Sequence, residues 1–358
     1  MDSPKEASCG PLVGVEGAGV TMELVAALLT LAVALNAFFV FLACLKSKAA
    51  GRVLSMQRKW AGALIYMVQS KDKVKAKNLP CSSKTDLDDP NLKKKTVVFV
   101  RHGESVWNEV FNRGKGPGFL FRLLLSFFRE LYQISFGDSL MIDSPLSSVG
   151  ETQGKDLFQF MQQEKLRTVM YNLNKAEEIF HKIKSGDRDC KLIASNLRRS
   201  MATAALGFSA RIRKTKEKIQ IVPYLQEITR NVDAVSTAGK GEVQANLGGS
   251  LSDIDTEALF DPRINTGSKP VSLTGSRRIE LFARWLFNQR EGVIVAAGHS
   301  LYFKSFLTAY LPKSFEHVCK KKKMRNSAVV TFDVVQDSTG SVMILPDTLT
   351  TLYLGYCK

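Results

Sequence analysis

From residue 96 onward, short β-branched runs alternate with longer stretches whose apolar residues recur every three to four positions. TVVFV (96–100), KLIAS (191–195), IQIVP (219–223), GVIVAAG (292–298) and SAVVTFDV (327–334) predict strands, and 148–163, 197–212, 276–289 and 301–311 carry helical spacing. No internal repeat is visible. Val- and Ile-rich strands separated by helices imply an α/β class domain, a three-layer α/β/α sandwich with a mostly parallel central sheet covered on both faces. Sheets of this kind collect binding groups at the carboxyl ends of their strands. The residues at the exit of each apolar run are therefore the informative ones.

Ahead of this domain the pattern changes. Residues 24–45, LVAALLTLAVALNAFFVFLACL, contain no charge. At 1.5 Å per residue they would reach roughly 33 Å as a helix, enough for a ~30 Å hydrocarbon core. A cleaved secretory signal is the competing reading, but it calls for a basic leader and a shorter core. The preceding segment instead holds one Lys against four acids, whereas Lys46, Lys48, Arg52, Arg58 and Lys59 come after it. Positive charge stays cytosolic. The expected organisation is a lumenal or extracellular tail (1–23), one transmembrane helix (24–45), a basic juxtamembrane linker (46–94) and a cytosol-facing catalytic domain (95–358). The linker reads equally as a solvated spacer or as a segment drawn to anionic lipid, and VLSMQRKWAGALIYMV within it reads as a short interfacial helix.

Charge supports an anionic partner. The formal net charge is +16 over 358 residues, which fits a phosphorylated substrate or a lipid headgroup. Nucleic acid is not expected, because no interleaved aromatic and basic strand pair or zinc-finger spacing accompanies the charge. The six cysteines are scattered without CxxC or Cys/His ligand spacing. Neither a disulfide framework nor a structural zinc site is expected, and a reducing compartment fits best.

The strand exits share one chemistry. Arg101-His102-Gly103 succeeds the first run, SNLRRSMATAA with Arg199 succeeds the second, Glu227 comes after the third, and Gly298-His299-Ser300 closes GVIVAA. Arginines fork onto phosphate oxygens. A neutral imidazole attacks phosphorus, and a carboxylic acid protonates the leaving oxygen. The helix N-termini after Ser195 and at Ser300 are expected to add N–H donors. Each residue also has a bland reading: a satisfied histidine at a strand end, a surface glutamate, a capping asparagine.

RHGESVWN, DSPLSSVGETQG, SNLRRSMATA, LQEI and AAGHS, in that order, resemble the histidine phosphatase superfamily, on its phosphoglycerate mutase-like branch. The resemblance covers roughly 96–334. It implies that His102 is the residue phosphorylated. Arg101, Arg199 and His299 would complete the phosphate pocket, with Asn108 and Ser300 as further donors, and Glu227 would be the proton donor. Arg198 is expected to face solvent, and His181 and His317 to be incidental. No metal or cofactor is implied, since arginines supply the positive charge. Mutase-like members follow the glutamate with an Arg-x-Tyr-Gly-like run, where this chain reads EITRNVDA. Hydrolysis of a phosphomonoester is therefore expected over phosphate transfer; a non-catalytic phosphate-binding protein is the rival from another class.

The chain departs from that pattern in an apolar insertion at about 115–138. There Arg122, Ser126, Arg129, Glu130 and Gln133 share one narrow helical stripe, and Leu and Phe fill the rest. A lid over the domain and a helix lying in the membrane interface are both consistent with this. The basic run 320–323 reads either as a solvated loop or as an anion-attracting one.

Overall fold

The computed structural model describes residues 48–72, 85–114, 116, 118–166 and 173–357. The expected tail and transmembrane helix (1–45) lie outside these residues. Among the described residues, no helix is long and apolar enough to cross a membrane.

The strands are β1 (Lys93–Arg101), β2 (Cys190–Ala194), β3 (Ile219–Ile221), β4 (Phe260–Asp261), β5 (Val293–Gly298), β6 (Val329–Gln336), β7 (Val342–Ile344) and β8 (Thr350–Tyr353). They form one sheet of order β4-β3-β2-β5-β1-β6-β7, with β8 also paired to β6. The five strands from β4 to β1 run parallel, with Val98 opposite Val295 and Leu192 opposite Val295 on its other side. The SAVVTFDV strand lies on the antiparallel side of the sheet. As β6 it runs antiparallel to β1 and to both β7 and β8. The turn at 337–341 between β6 and β7 is too short for a parallel crossover.

Helices cover both faces. Alternation along β1 sends Val98 and Val100 into one core, with α4 (Ser148–Gln162), α5 (Leu173–Ser185) and α6 (Arg198–Gly207). Val97 and Phe99 enter the other, with α9 (Gly275–Phe287) and α10 (Ser300–Tyr310). The Phe99 ring stacks on Phe303 with centroids 4.0 Å apart, which seats the first turn of α10 against β1. Gly298 is needed there, because a Cβ would come within 2.8 Å of the Phe303 ring. The remaining helices are α1 (Lys48–Gln69), α2 (Val106–Asn112), α3 (Gly118–Ser135), α7 (Ser209–Thr215), α8 (Thr256–Leu259) and α11 (Val318–Lys321). Cys190 and Cys319 are buried thiols, and Cys357 is disulfide-bonded.

Part of the expected linker belongs to the folded body. Val53, Met56, Ala63 and Tyr66 of α1 are buried, one helix face, and Ala63 packs with Ile142 and Val232. Just beyond α1 the chain plunges inward. Asp72, 1% exposed, pairs with Lys269 (2.7 Å) and Arg278 (2.8 Å), both fully buried. Burial opposes ionisation of Asp72, but Arg278 and Lys269 hold its carboxyl below the usual range. Burial pushes Lys269 down to about 8. Removing one partner from such a cluster strands a buried charge, at about 3–5 kcal/mol. Asp72→Asn is expected to lower the unfolding free energy from urea titration of the full chain by that amount, whereas an exposed control such as Lys59→Gln leaves it unchanged.

Candidate active site

Because β1, β2, β3 and β5 are parallel, their carboxyl ends share one edge. Arg101 closes β1 opposite Gly298 of β5, and His102 donates its backbone N–H to the Gly298 carbonyl at 3.0 Å. The two histidine rings lie 5.0 Å apart, centroid to centroid. His102 is 3% exposed and His299 is fully buried.

The partners of His102 set its tautomer. Its Nδ1 lies 2.5 Å from the Gly103 carbonyl, an acceptor, and therefore carries the proton. Its Nε2 receives Arg199 Nε–H at 3.3 Å, and therefore presents a lone pair. Burial first, then Arg199 and Arg101, drives the imidazole well below its ordinary range. Gly103 is fixed in turn by its N–H to Thr203 Oγ1 at 3.0 Å, and Thr203 donates back to the Arg199 carbonyl at 2.8 Å. A Cβ on Gly103 would sit 2.5 Å from the Gly150 carbonyl oxygen, so only glycine lets the loop pass α4.

Arg199 is buried and bridges to the 232–234 turn. Its Nη1 donates to the Asp233 carbonyl at 2.6 Å, and its Nη2 lies 3.2 Å from the Asp233 carboxylate. Asp233 Oδ1 is buried without a partner, and burial raises this carboxyl despite Arg199. Arg101 donates through Nη1 to the Met324 carbonyl while its Nε has no partner. Burial lowers it to about 10, against the opposing pull of Glu227. His299 Nε2 meets Ser195 Oγ at 2.9 Å, and its Nδ1 is buried without a partner. Burial, then Arg199 and His102, keeps His299 neutral. Lys323, from the basic run, also faces this cluster: burial lowers it, against Glu227 and with Arg101.

Several placements differ from expectation. Glu227 Oε1 accepts from the N–H groups of Ile228 (2.9 Å) and Tyr302 (3.0 Å), and Oε2 from Leu301 at 3.4 Å. It therefore caps α10, taking the N–H groups after Ser300 that were expected to meet phosphate; Ser300 itself is the buried first residue of that helix. Asp143 likewise takes the Arg198 N–H at 2.8 Å at the start of α6. Carboxylates suit these positive helix ends. Arg198 does not face solvent. It is 1% exposed and donates to the Asp143 carbonyl (2.7 Å) and the Asp138 carboxylate (2.8 Å). Asn108 sits on α2, half-buried, its Oδ1 accepting from Asn112 Nδ2 at 2.9 Å. Among the described residues no hydrogen bond joins its side chain to the histidine cluster. Sequence reasoning missed Asp233 and Thr203. The second repeats one turn after Arg199, which was a readable signal; the first had none. His317, read as incidental, accepts from Cys319 N–H at 3.2 Å and caps α11.

Neutral buried histidines make stability depend on pH. The unfolded imidazole takes a proton near pH 6.5 and the folded one only at lower pH, so stability is complete above about 6.5 and is lost as pH falls, by up to about 1.4 kcal/mol per unit for each histidine. The urea midpoint is expected to hold from pH 8 to 7 and decline toward pH 5. His299→Gln is expected to make that decline shallower.

No family model and no curated protein sequence matches the chain. Among solved structures it is similar to a mycobacterial glucosyl-3-phosphoglycerate phosphatase, at 16% identity and TM-score 0.35, over 73% of this chain and 100% of that one. A putative alpha-ribazole-5'-P phosphatase from Escherichia coli matches at 14% identity and TM-score 0.34, over 73% and 96%. A phosphoserine phosphatase from Entamoeba histolytica matches at 15% identity and TM-score 0.33, over 72% and 96%. At so low an overlap these likenesses carry no argument about chemistry, which rests on the site's own geometry.

Proposed function

We propose that this chain is a phosphomonoester hydrolase working through a phosphohistidine on His102, tethered to a membrane by residues 24–45. The observation that carries the reading is the neutral His102, whose Nε2 lone pair lies against Arg199 and beside His299. A nucleophile at phosphorus needs that lone pair, and the cations around it neutralise the equatorial oxygens.

In the first step His102 Nε2 attacks phosphorus and forms the P–N bond as the P–O ester bond breaks. The leaving alkoxide takes a proton from the Glu227 carboxylic acid. In the second step water attacks phosphorus, Glu227 takes its proton, and the P–N bond breaks to return the lone pair to Nε2 and release inorganic phosphate. Glu227 Oε2, held only by the long contact to Leu301, is the oxygen free for this work. Nδ1–H keeps its bond to the Gly103 carbonyl throughout, which stabilises the cationic ring of the intermediate. For phosphate to enter, Arg199 releases both the His102 Nε2 lone pair and the Asp233 carboxylate and turns its N–H groups to the incoming anion. A small phosphorylated metabolite or lipid headgroup is the substrate class that suits a pocket lined by Arg101 and Arg199.

Tethering rests on the uncharged run 24–45, and its orientation on the basic residues after it.

The test uses the full chain in detergent against a panel of phosphomonoesters, beside His102→Ala. Phosphate release is expected to fall by about a thousandfold or more in the variant. Acid-labile phosphate on His102 is expected in rapid-quench samples of the parent. Release equal in parent and variant overturns the reading. Transfer between positions of an added phosphoglycerate, without release, identifies a mutase instead.

A further inference from the structure

We propose that α3 is a bilayer-docking element: its outer face lies in the headgroup region of the membrane that residues 24–45 enter. The inference rests on the tethering reading above. It begins from an inversion. In a helix packed on a soluble domain the apolar side faces inward. In α3 the centre of the polar stripe faces inward instead. Ser126 and Glu130 are buried, and Glu130 accepts from Trp60 Nε1 (2.9 Å), Ser139 Oγ (2.5 Å) and the N–H groups of Leu140 (2.6 Å) and Met141 (3.1 Å). Four donors on one carboxylate fix the helix's rotation about its axis.

The opposite face is left to the outside. Phe121, Phe128 and Tyr132 are each more than 60% exposed, and Leu124 is 50% exposed. A contiguous apolar surface of this kind on a soluble protein marks an interaction site.

Three observations select lipid as its occupant. First, the chain leaves little slack. The uncharged run ends at Leu45 and α1 begins at Lys48. Three extended residues and one helical turn place Arg52 at most roughly 17 Å from the end of that run. Second, Arg52 packs beside Gly137, two residues past the end of α3: a Cβ on Gly137 would lie 2.9 Å from Arg52 Cβ. The terminus of α3 is thus held at the membrane's edge. Third, exposed cations accompany the apolar face. Arg52, Arg58 and Lys59 are exposed on α1, as is Arg129 on α3. An apolar face flanked by Arg and Lys is the composition of an interfacial helix, with cations drawn to anionic headgroups.

The experiment reconstitutes the full chain in phosphatidylcholine–phosphatidylserine vesicles containing a diazirine-bearing phosphatidylcholine. After irradiation, adducts are mapped by peptide mass spectrometry. Lipid adducts are expected on peptides from 24–45 and from 118–136, and not on peptides from 173–185. The double variant Leu124→Glu, Phe128→Glu is expected to lower labelling of 118–136 by about tenfold, since acidic side chains resist an anionic interface. Labelling of 24–45 and the rate of phosphate release are expected to persist, which also shows that the variant is folded. Adducts confined to 24–45 overturn the proposal while sparing the tether. Photo-crosslinks from 118–136 to a second copy, or to 24–45 of the same chain, in place of lipid overturn it by naming another occupant. Adducts on neither segment overturn both tether and docking, whatever the catalytic result.

Discussion

A guanidinium cannot donate to an imidazolium. The contact between Arg199 Nε and His102 Nε2 therefore requires a neutral ring with its lone pair on that nitrogen, and much of the domain serves to hold the two groups so. β1 delivers His102, and β2 delivers Arg199 through the first turn of α6. β5 lies between these strands and adds His299. Thr203 ties the histidine loop and the arginine helix together through two hydrogen bonds. The parallel order is what makes this possible, since it alone brings these strand ends to one edge.

The same edge is crowded with carboxylates. Asp143 and Glu227 sit at helix N-termini, and Asp233 sits on Arg199. Positive charge on this edge is therefore partly spoken for before any substrate arrives. His102 Nε2 and the Arg199 guanidinium are thus already engaged with each other and with Asp233. Lys323 adds a cation near Arg101 that belongs to none of the motif segments.

Much of this was legible in the chain. The β-branched runs ended where polar residues began, so the exits carrying His102, Arg199 and His299 were readable from local pattern. The direction of β6 was not, because alternation is the same in parallel and antiparallel pairs. Arg198 and Arg199 are adjacent, and sequence expects one inside and one outside. Both are buried, since the 138–143 loop folds over Arg198. The capping of α10 by Glu227 joins residues 75 apart in sequence, and no local signal announces such a contact. The stripe on α3 was visible, but not the side that would face inward, because that is decided by Trp60 and Ser139 and not by the helix itself.

Asp72 gives the molecule an unexpected beginning. Lys269 and Arg278, the two cations it neutralises, both also donate to the Glu227 carbonyl. The folded body thus takes in α1 and Asp72 as well as the sheet. A fragment cut between Asp72 and β1 would keep every residue of the histidine cluster and still bury two cations with no counter-charge beneath Glu227.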